Sequence, residues 1–186
     1  MDSSERSDYP LASLADINRT FSIEPASFPE DLETVRFLFL AYTTWMSIDL
    51  SFQEYDKELA GLPGKYAAPA GRMLLARSDT SAQALGCVAL RRLEDLEPRG
   101  RCCEMKRLYV LPEGRHKGIG KALATCIIQK ARLAEYHFMV LDTFDWMTSA
   151  ITLYESLGFE TCEAYYKNSE KGLCYFRLDL RGSRST

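Results

Sequence analysis

Apolar residues recur along this chain with two periods, and the changes of period divide it into elements. Phe21, Ser22 and Ile23 alternate apolar and polar, as a half-buried strand does. Ser27, followed three residues on by Glu30, has the pattern of a capping box ahead of a helix. That helix carries Leu32, Val35, Leu38, Tyr42 and Trp45 at steps of three or four, a spacing that sets them on one face. A second, shorter helix is expected over residues 52–59. Gly61, Pro63, Gly64, Pro69 and Gly71 then favour turns, and the segment that holds them reads as a flexible wall.

Three strand-like runs follow, at residues 73–77, 85–90 and 104–110, separated by turn or charged residues. An antiparallel meander is the simplest way to join them. From Gly118 to Ala134 the period lengthens: Ile119, Leu123, Ile127, Ala131 and Ala134 mark a long amphipathic helix that begins at glycines. Residues 138–141 read as a buried strand. A helix from about Thr148 should stop at Gly158, a residue suited to a left-handed cap, and residues 175–180 alternate as a last strand. The order is mixed α/β. No internal repeat or long linker divides it, so one domain is expected over residues 19–181, between a flexible N-terminal tail at 1–18 and a C-terminal tail at 182–186.

Length and composition fit this picture: 186 residues suit one hydrophobic core, and 46% apolar with 26% charged residues is ordinary for a folded domain. A net charge of -3 lacks the bulk positive field with which nucleic-acid binders neutralise phosphates, so no nucleic-acid partner is expected. No apolar run of about 18 residues would cross a bilayer, and the N-terminus lacks the apolar stretch of a secretory signal. The expectation is a cytoplasmic protein without a membrane partner. Its cysteines, Cys87, Cys102, Cys103, Cys126, Cys162 and Cys174, form no C-x-x-C pair and have no ligand-spaced histidine, so reduced, packed thiols and no metal are expected.

The sequence CEMKRLYVLPEGRHKGIGKAL places a strand, a turn with Pro112 and Gly114, two further glycines, and then the long helix. Backbone N–H groups at a helix start lack intrahelical acceptors and carry the positive end of the helix dipole, so they suit a pyrophosphate. Arg115, Lys117 and Lys121 make this turn basic in an acidic chain. A Walker loop fails because Gly120-Lys121 is followed by Ala122. A dinucleotide fingerprint fails because its first glycine would fall at Arg115 or His116.

With Arg115, Gly118 and Gly120, the pattern R-x-x-G-x-G after a strand resembles motif A of the Gcn5-related N-acetyltransferase (GNAT) family. A second block, Ala150-Ile151-Thr152-Leu153-Tyr154-Glu155-Ser156-Leu157-Gly158-Phe159, resembles the family's A-x-x-L-Y-x-x-x-G-F helix and turn. The resemblance implies a mostly antiparallel mixed sheet of about six or seven strands flanked by about four helices. It also implies acetyl-CoA as cosubstrate. Leu108, Tyr109 and Val110 would then bond the pantetheine arm like an added strand, while Arg115, His116, Lys117, Gly118, Ile119, Gly120 and Lys121 hold the pyrophosphate. The chain departs from the family's pattern in two places: His116 stands where glycine is frequent, and Met147 where many members have asparagine.

Acetyl transfer to an amine needs a base for the ammonium proton, donors for the oxyanion and an acid for the departing thiolate. Tyr154 is the candidate acid, because a phenol near pKa 10 can protonate a thiolate whose conjugate acid lies near 8.5. Glu104 is the candidate base, working through water; its place on the strand before the loop resembles that of the strand glutamate used by some family members. By the same analogy, backbone N–H near Leu108 serves the oxyanion. Cys102 and Cys103 have no local histidine, which argues against an acyl-cysteine route. His137 is expected to cap or pack. Tyr42, Trp45, Tyr55, Tyr66, Trp146, Tyr165 and Tyr166 could line an acceptor pocket, Tyr166 first among them. A small-molecule amine is the expected acceptor; a peptide or protein amine, a non-catalytic acyl-CoA-binding module and homodimer formation stay open.

Overall fold

A computed structural model of the chain describes residues 20–47, 55–94, 101–167 and 170–181. Both predicted tails and the start of the second predicted helix, including Phe52, lie outside the described residues.

Four strands, β1 (Phe21–Pro25), β2 (Arg72–Ser78), β3 (Ala84–Leu93) and β4 (Cys102–Val110), form the expected antiparallel meander. β5 (Phe138–Phe144) joins β4 in parallel, and β7 (Leu173–Asp179) returns antiparallel beside it, with the two-residue β6 (Glu160–Thr161) on the edge. Among the described residues the sheet therefore has seven strands, in the order β1-β2-β3-β4-β5-β7-β6. A crossover through α3 (Ile119–Leu133) allows the parallel pairing of β4 with β5, since parallel neighbours cannot be joined by a hairpin. The remaining helices are α1 (Leu32–Met46), α2 (Tyr55–Ala60) and α4 (Thr148–Ser156).

The sheet is covered on both faces, and successive residues of a strand serve opposite cores. Leu74 and Ala76 of β2 pack with Ile119, Leu123 and Ile127 of α3, whereas Met73 and Leu75 pack with Val35, Leu38 and Phe39 of α1. This explains why β2 reads as a continuous apolar run. Each fully buried Leu or Ile here contributes about 1.5–3 kcal/mol.

The start of α1 differs from its expected form. Ser27 Oγ does donate to Glu30 Oε2, at 3.0 Å, but the Ser27 N–H goes to Asp31 Oδ2 at 2.9 Å, and the helix begins at Leu32. The Ser27–Glu30 pair thus closes a pre-helical turn instead of capping the helix. Val35, Leu38, Phe39 and Met46 form the buried stripe, while Trp45 is 41% exposed. Trp45 is therefore a rim residue and not a core one. The turn-rich wall is anchored by Tyr66, buried edge-to-face against Phe39 at 6.1 Å.

Candidate active site

The parallel pairing of β4 and β5 covers only Cys102–Glu104 against Phe138–Val140, and beyond it the strands part. A β-bulge accompanies the parting. Ala89 pairs with Lys106 and Cys87 with Tyr109, so Val88 faces both Arg107 and Leu108, and Arg107 takes a left-handed φ of 57°. The gap holds a cavity of about 580 Å³. Beyond the bulge, the Leu111 N–H bonds Leu85 O at 2.9 Å, toward β3. Peptide groups alternate in direction along a strand, so those of Leu108 and Val110 face the gap, as an added strand would require.

At the wide end of the gap, Gly118 caps α3 with φ 79° and its carbonyl takes the first helical bond, from Ala122. The N–H groups of Ile119, Gly120 and Lys121 head the helix. A Cβ added at Gly118 would meet nothing within 4 Å, and at Gly120 only Val110 Cγ2 and Leu153 Cδ2, at 3.8 and 3.9 Å. Internal packing therefore does not require glycine at 120; the open space in front of the helix suits a bulky anion. His116 has φ 61°, the conformation in which glycine carries no steric penalty. Leu108, Tyr109, Val110, His116, Ile119 and both glycines line the cavity, whereas Lys117 and Lys121 lie exposed beside it. Arg115 turns back: its Nε donates to Val110 O at 3.1 Å, and its guanidinium lies 5.1 Å from the Trp45 ring and 5.9 Å from that of Tyr109.

Tyr154 reaches the same cavity from α4, with its ring edge-on to Phe159 at 5.8 Å. Burial, reinforced by Tyr42 and Asp142, pushes its phenol above the ordinary value of 10, so it stays protonated. Glu104 is fully buried and does not line the cavity. Its Oε2 meets Arg91 Nε at 2.5 Å, its Oε1 accepts from Tyr165 Oη at 2.7 Å, and Lys106 Nζ lies 3.5 Å away. Burial and the Glu104 charge hold the Tyr165 phenol protonated. The carboxylate that faces the gap is Asp142 of β5, bonded by Lys106 at 2.8 Å and Tyr166 at 3.1 Å, with Tyr165 at 3.4 Å. Burial raises its pKa, but Lys106 and Tyr166 outweigh this and leave it below the ordinary value.

The aromatic candidates divide. Tyr42, Trp45 and Trp146 line the cavity with Tyr109 and Phe144, and the rings of Trp45, from α1, and Trp146, from the turn after β5, approach to 5.8 Å. Tyr165 and Tyr166 sit over the carboxylates. Tyr55 and Tyr66 are buried instead beside an ion pair of Glu58 and Arg107 at 2.8 Å, which ties α2 to the bulge. His137 bonds Arg101 O and Leu180 N–H through its backbone, away from the cavity. Burial raises the thiols of Cys87 to about 12 and Cys102 to about 11 and lifts that of Cys103 as well, so none supplies a thiolate. Asp142 is not among the residues that the sequence pattern singles out. Asp142 left one signal, a carboxylate inside the apolar run FMVLDTF.

The sequence model of the acetyltransferase (GNAT) family matches residues 32–159. An uncharacterised N-acetyltransferase of Schizosaccharomyces pombe is 44% identical over 161 residues, 86% of this chain and 94% of that one. Another, from Dictyostelium discoideum, is 30% identical over 209 residues, 82% of this chain and 96% of that one. Among solved structures, an acetyltransferase of Salmonella typhimurium, determined with acetyl-CoA, has a TM-score of 0.63 at 18% identity; the likeness covers 90% of this chain and 98% of that one and bears on the fold alone.

Proposed function

This chain belongs to the acetyltransferase (GNAT) family and is an N-acetyltransferase, and from that premise we propose that it acetylates the primary amine of a small molecule by direct attack on the thioester of acetyl-CoA. The observation that carries this reading is one gap bounded by the bonding edge of β4, the head of α3 and the phenol of Tyr154. Acetyl-CoA supplies an activated acyl carbon; the chain supplies position and proton management.

The inward peptide groups of Leu108 and Val110 would hold the pantetheine arm, and the amides at 119–121, with the basic loop, the pyrophosphate. A Leu108 N–H that faces the gap would meet charge that develops on the carbonyl oxygen. Tyr154 Oη, kept protonated by burial, donates to the departing sulfur. Glu104 is the rear member of a carboxylate pair joined to Asp142 through Lys106 and Tyr165, and the pair draws the ammonium proton through water. The approach of Trp45 to Trp146 narrows the acceptor side, which favours a small amine over a folded protein surface. No helix among the described residues is long and apolar enough to cross a membrane, and a cytoplasmic site of action is part of the proposal.

Incubation with labelled acetyl-CoA and a metabolite extract, followed by mass spectrometry, should reveal labelled acetylamines and a matching release of CoA thiol. Label found only on peptides or proteins would replace the small-molecule reading; CoA binding without release above hydrolysis would replace catalysis.

A further inference from the structure

Arg115 does two things at once. Its Nε bonds Val110 O, a carbonyl on the edge of β4 that faces the gap, and its guanidinium rests over Trp45 and Tyr109 at 5.1 and 5.9 Å. Both distances lie within the range over which an aromatic face attracts a cation. The rings continue outward: Trp45 lies 5.8 Å from Trp146, which is 6.1 Å from Phe144, and Tyr42 lies 5.6 Å from Tyr109. Trp45 and Trp146 keep 41% and 48% of their surface exposed, so the wall opens to solvent. The other Lys and Arg side chains that line the cavity are committed: Lys106 to Asp142 and Arg107 to Glu58.

We propose that the face formed by Trp45 and Tyr109 is a cation seat that Arg115 shares with the acceptor. Arg115 occupies it in the arrangement seen here. Its backbone belongs to the loop that heads α3, and a diphosphate offers the guanidinium several bonds in which both partners are ionised, in place of one bond to an uncharged carbonyl. A diphosphate at α3 therefore draws Arg115 off the rings, frees Val110 O for the pantetheine arm, and opens the seat. The group that then fits is a second cationic centre of the acceptor, ammonium or quaternary, apart from the amine that reacts. The substrate class is thus an amine with a further positive charge. This inference rests on the reading that acyl-CoA lies between β4 and α3.

The test compares an alkylamine with the diamine of the same length in the full-length protein. Wild type should favour the diamine by about tenfold in kcat/KM; Trp45→Phe, which keeps a ring, should retain most of that ratio, and Trp45→Leu should bring it near one. A second measurement needs no turnover. Tetramethylammonium, titrated against tryptophan fluorescence, should bind wild type several-fold more tightly with CoA present than without, and Arg115→Gln equally well in both conditions. Equal use of the two amines by wild type, an unchanged ratio in Trp45→Leu, or tetramethylammonium binding indifferent to CoA in wild type would each overturn the proposal. If neither amine is acetylated while CoA binds, the acetyl-transfer reading fails by itself and the titration still decides this one.

Discussion

On one side of the β4–β5 gap, binding groups come from consecutive residues: the loop at 115–118 and the first amides of α3. On the other side, Tyr42 and Trp45 come from α1, Tyr109 from β4, Phe144 from β5 and Trp146 from the turn after it. In the proposed function the first wall works chiefly through backbone N–H groups, which need the chain conformation that the glycines permit, with the basic side chains of the loop added. The second works through side chains, and every substitution changes its shape. In the proposed function, selection of the acceptor belongs to the second wall and attachment of acetyl-CoA to the first.

The largest expected effect removes the support of the second wall. Arg107→Met would leave Glu58 as a buried carboxylate without its guanidinium, at a cost of about 3–5 kcal/mol, seen as a lowered urea midpoint. The same pair makes stability depend on acid. Burial alone would raise the Glu58 pKa, but bonds and charge from Arg107 and Lys65 hold it near 2, below its ordinary 4.5. The stabilisation, about 3 kcal/mol, is complete above about pH 5 and is lost as pH falls toward 2. Glu58→Gln should flatten that part of the stability profile; an unchanged slope would show that other carboxylates govern it.

Next in size is Tyr154→Phe, which should lower kcat about a hundredfold while the Kd for CoA moves less than about threefold. A loss in affinity instead would make Tyr154 part of the attachment wall. Gly118→Val forces a branched side chain into φ 79° and should raise the Kd for CoA about tenfold in calorimetry, with little change in acceptor KM. Smallest is Trp146→Ala, for which acceptor KM should rise about threefold at unaltered CoA affinity. Comparable changes in both constants, in either variant, would erase the division between the walls.

The conformation of the loop ahead of α3 was legible along the chain, because its information is local. Gly118 and the helical period after it name a backbone conformation and the residues that follow within a few turns. The period also placed six of the seven strands; β6 has two residues, too few to show an alternation. The capping pattern at Ser27 and Glu30 marked the right turn but not its bonding, since Asp31 competes for the same N–H. The position of Trp45 in the stripe pointed inward, yet in the last turn Met46 takes the buried place and leaves Trp45 at the rim.

What the sequence by itself determined was the alternation of strands and helices, the glycine loop that opens α3, and the left-handed Gly158 just after α4. Each depends on residues close in the chain, where covalent geometry and side-chain period fix who can meet whom. Only the tertiary structure decided that Glu104 is enclosed by Arg91 and Tyr165, that Asp142 takes the face toward the gap, and that Arg115 rests on rings from α1 and β4. Those partners lie 13, 61 and 70 residues apart for Arg91 with Glu104, Glu104 with Tyr165, and Trp45 with Arg115. Sheet register and helix packing bring them together, and those are set by the burial of both faces at once.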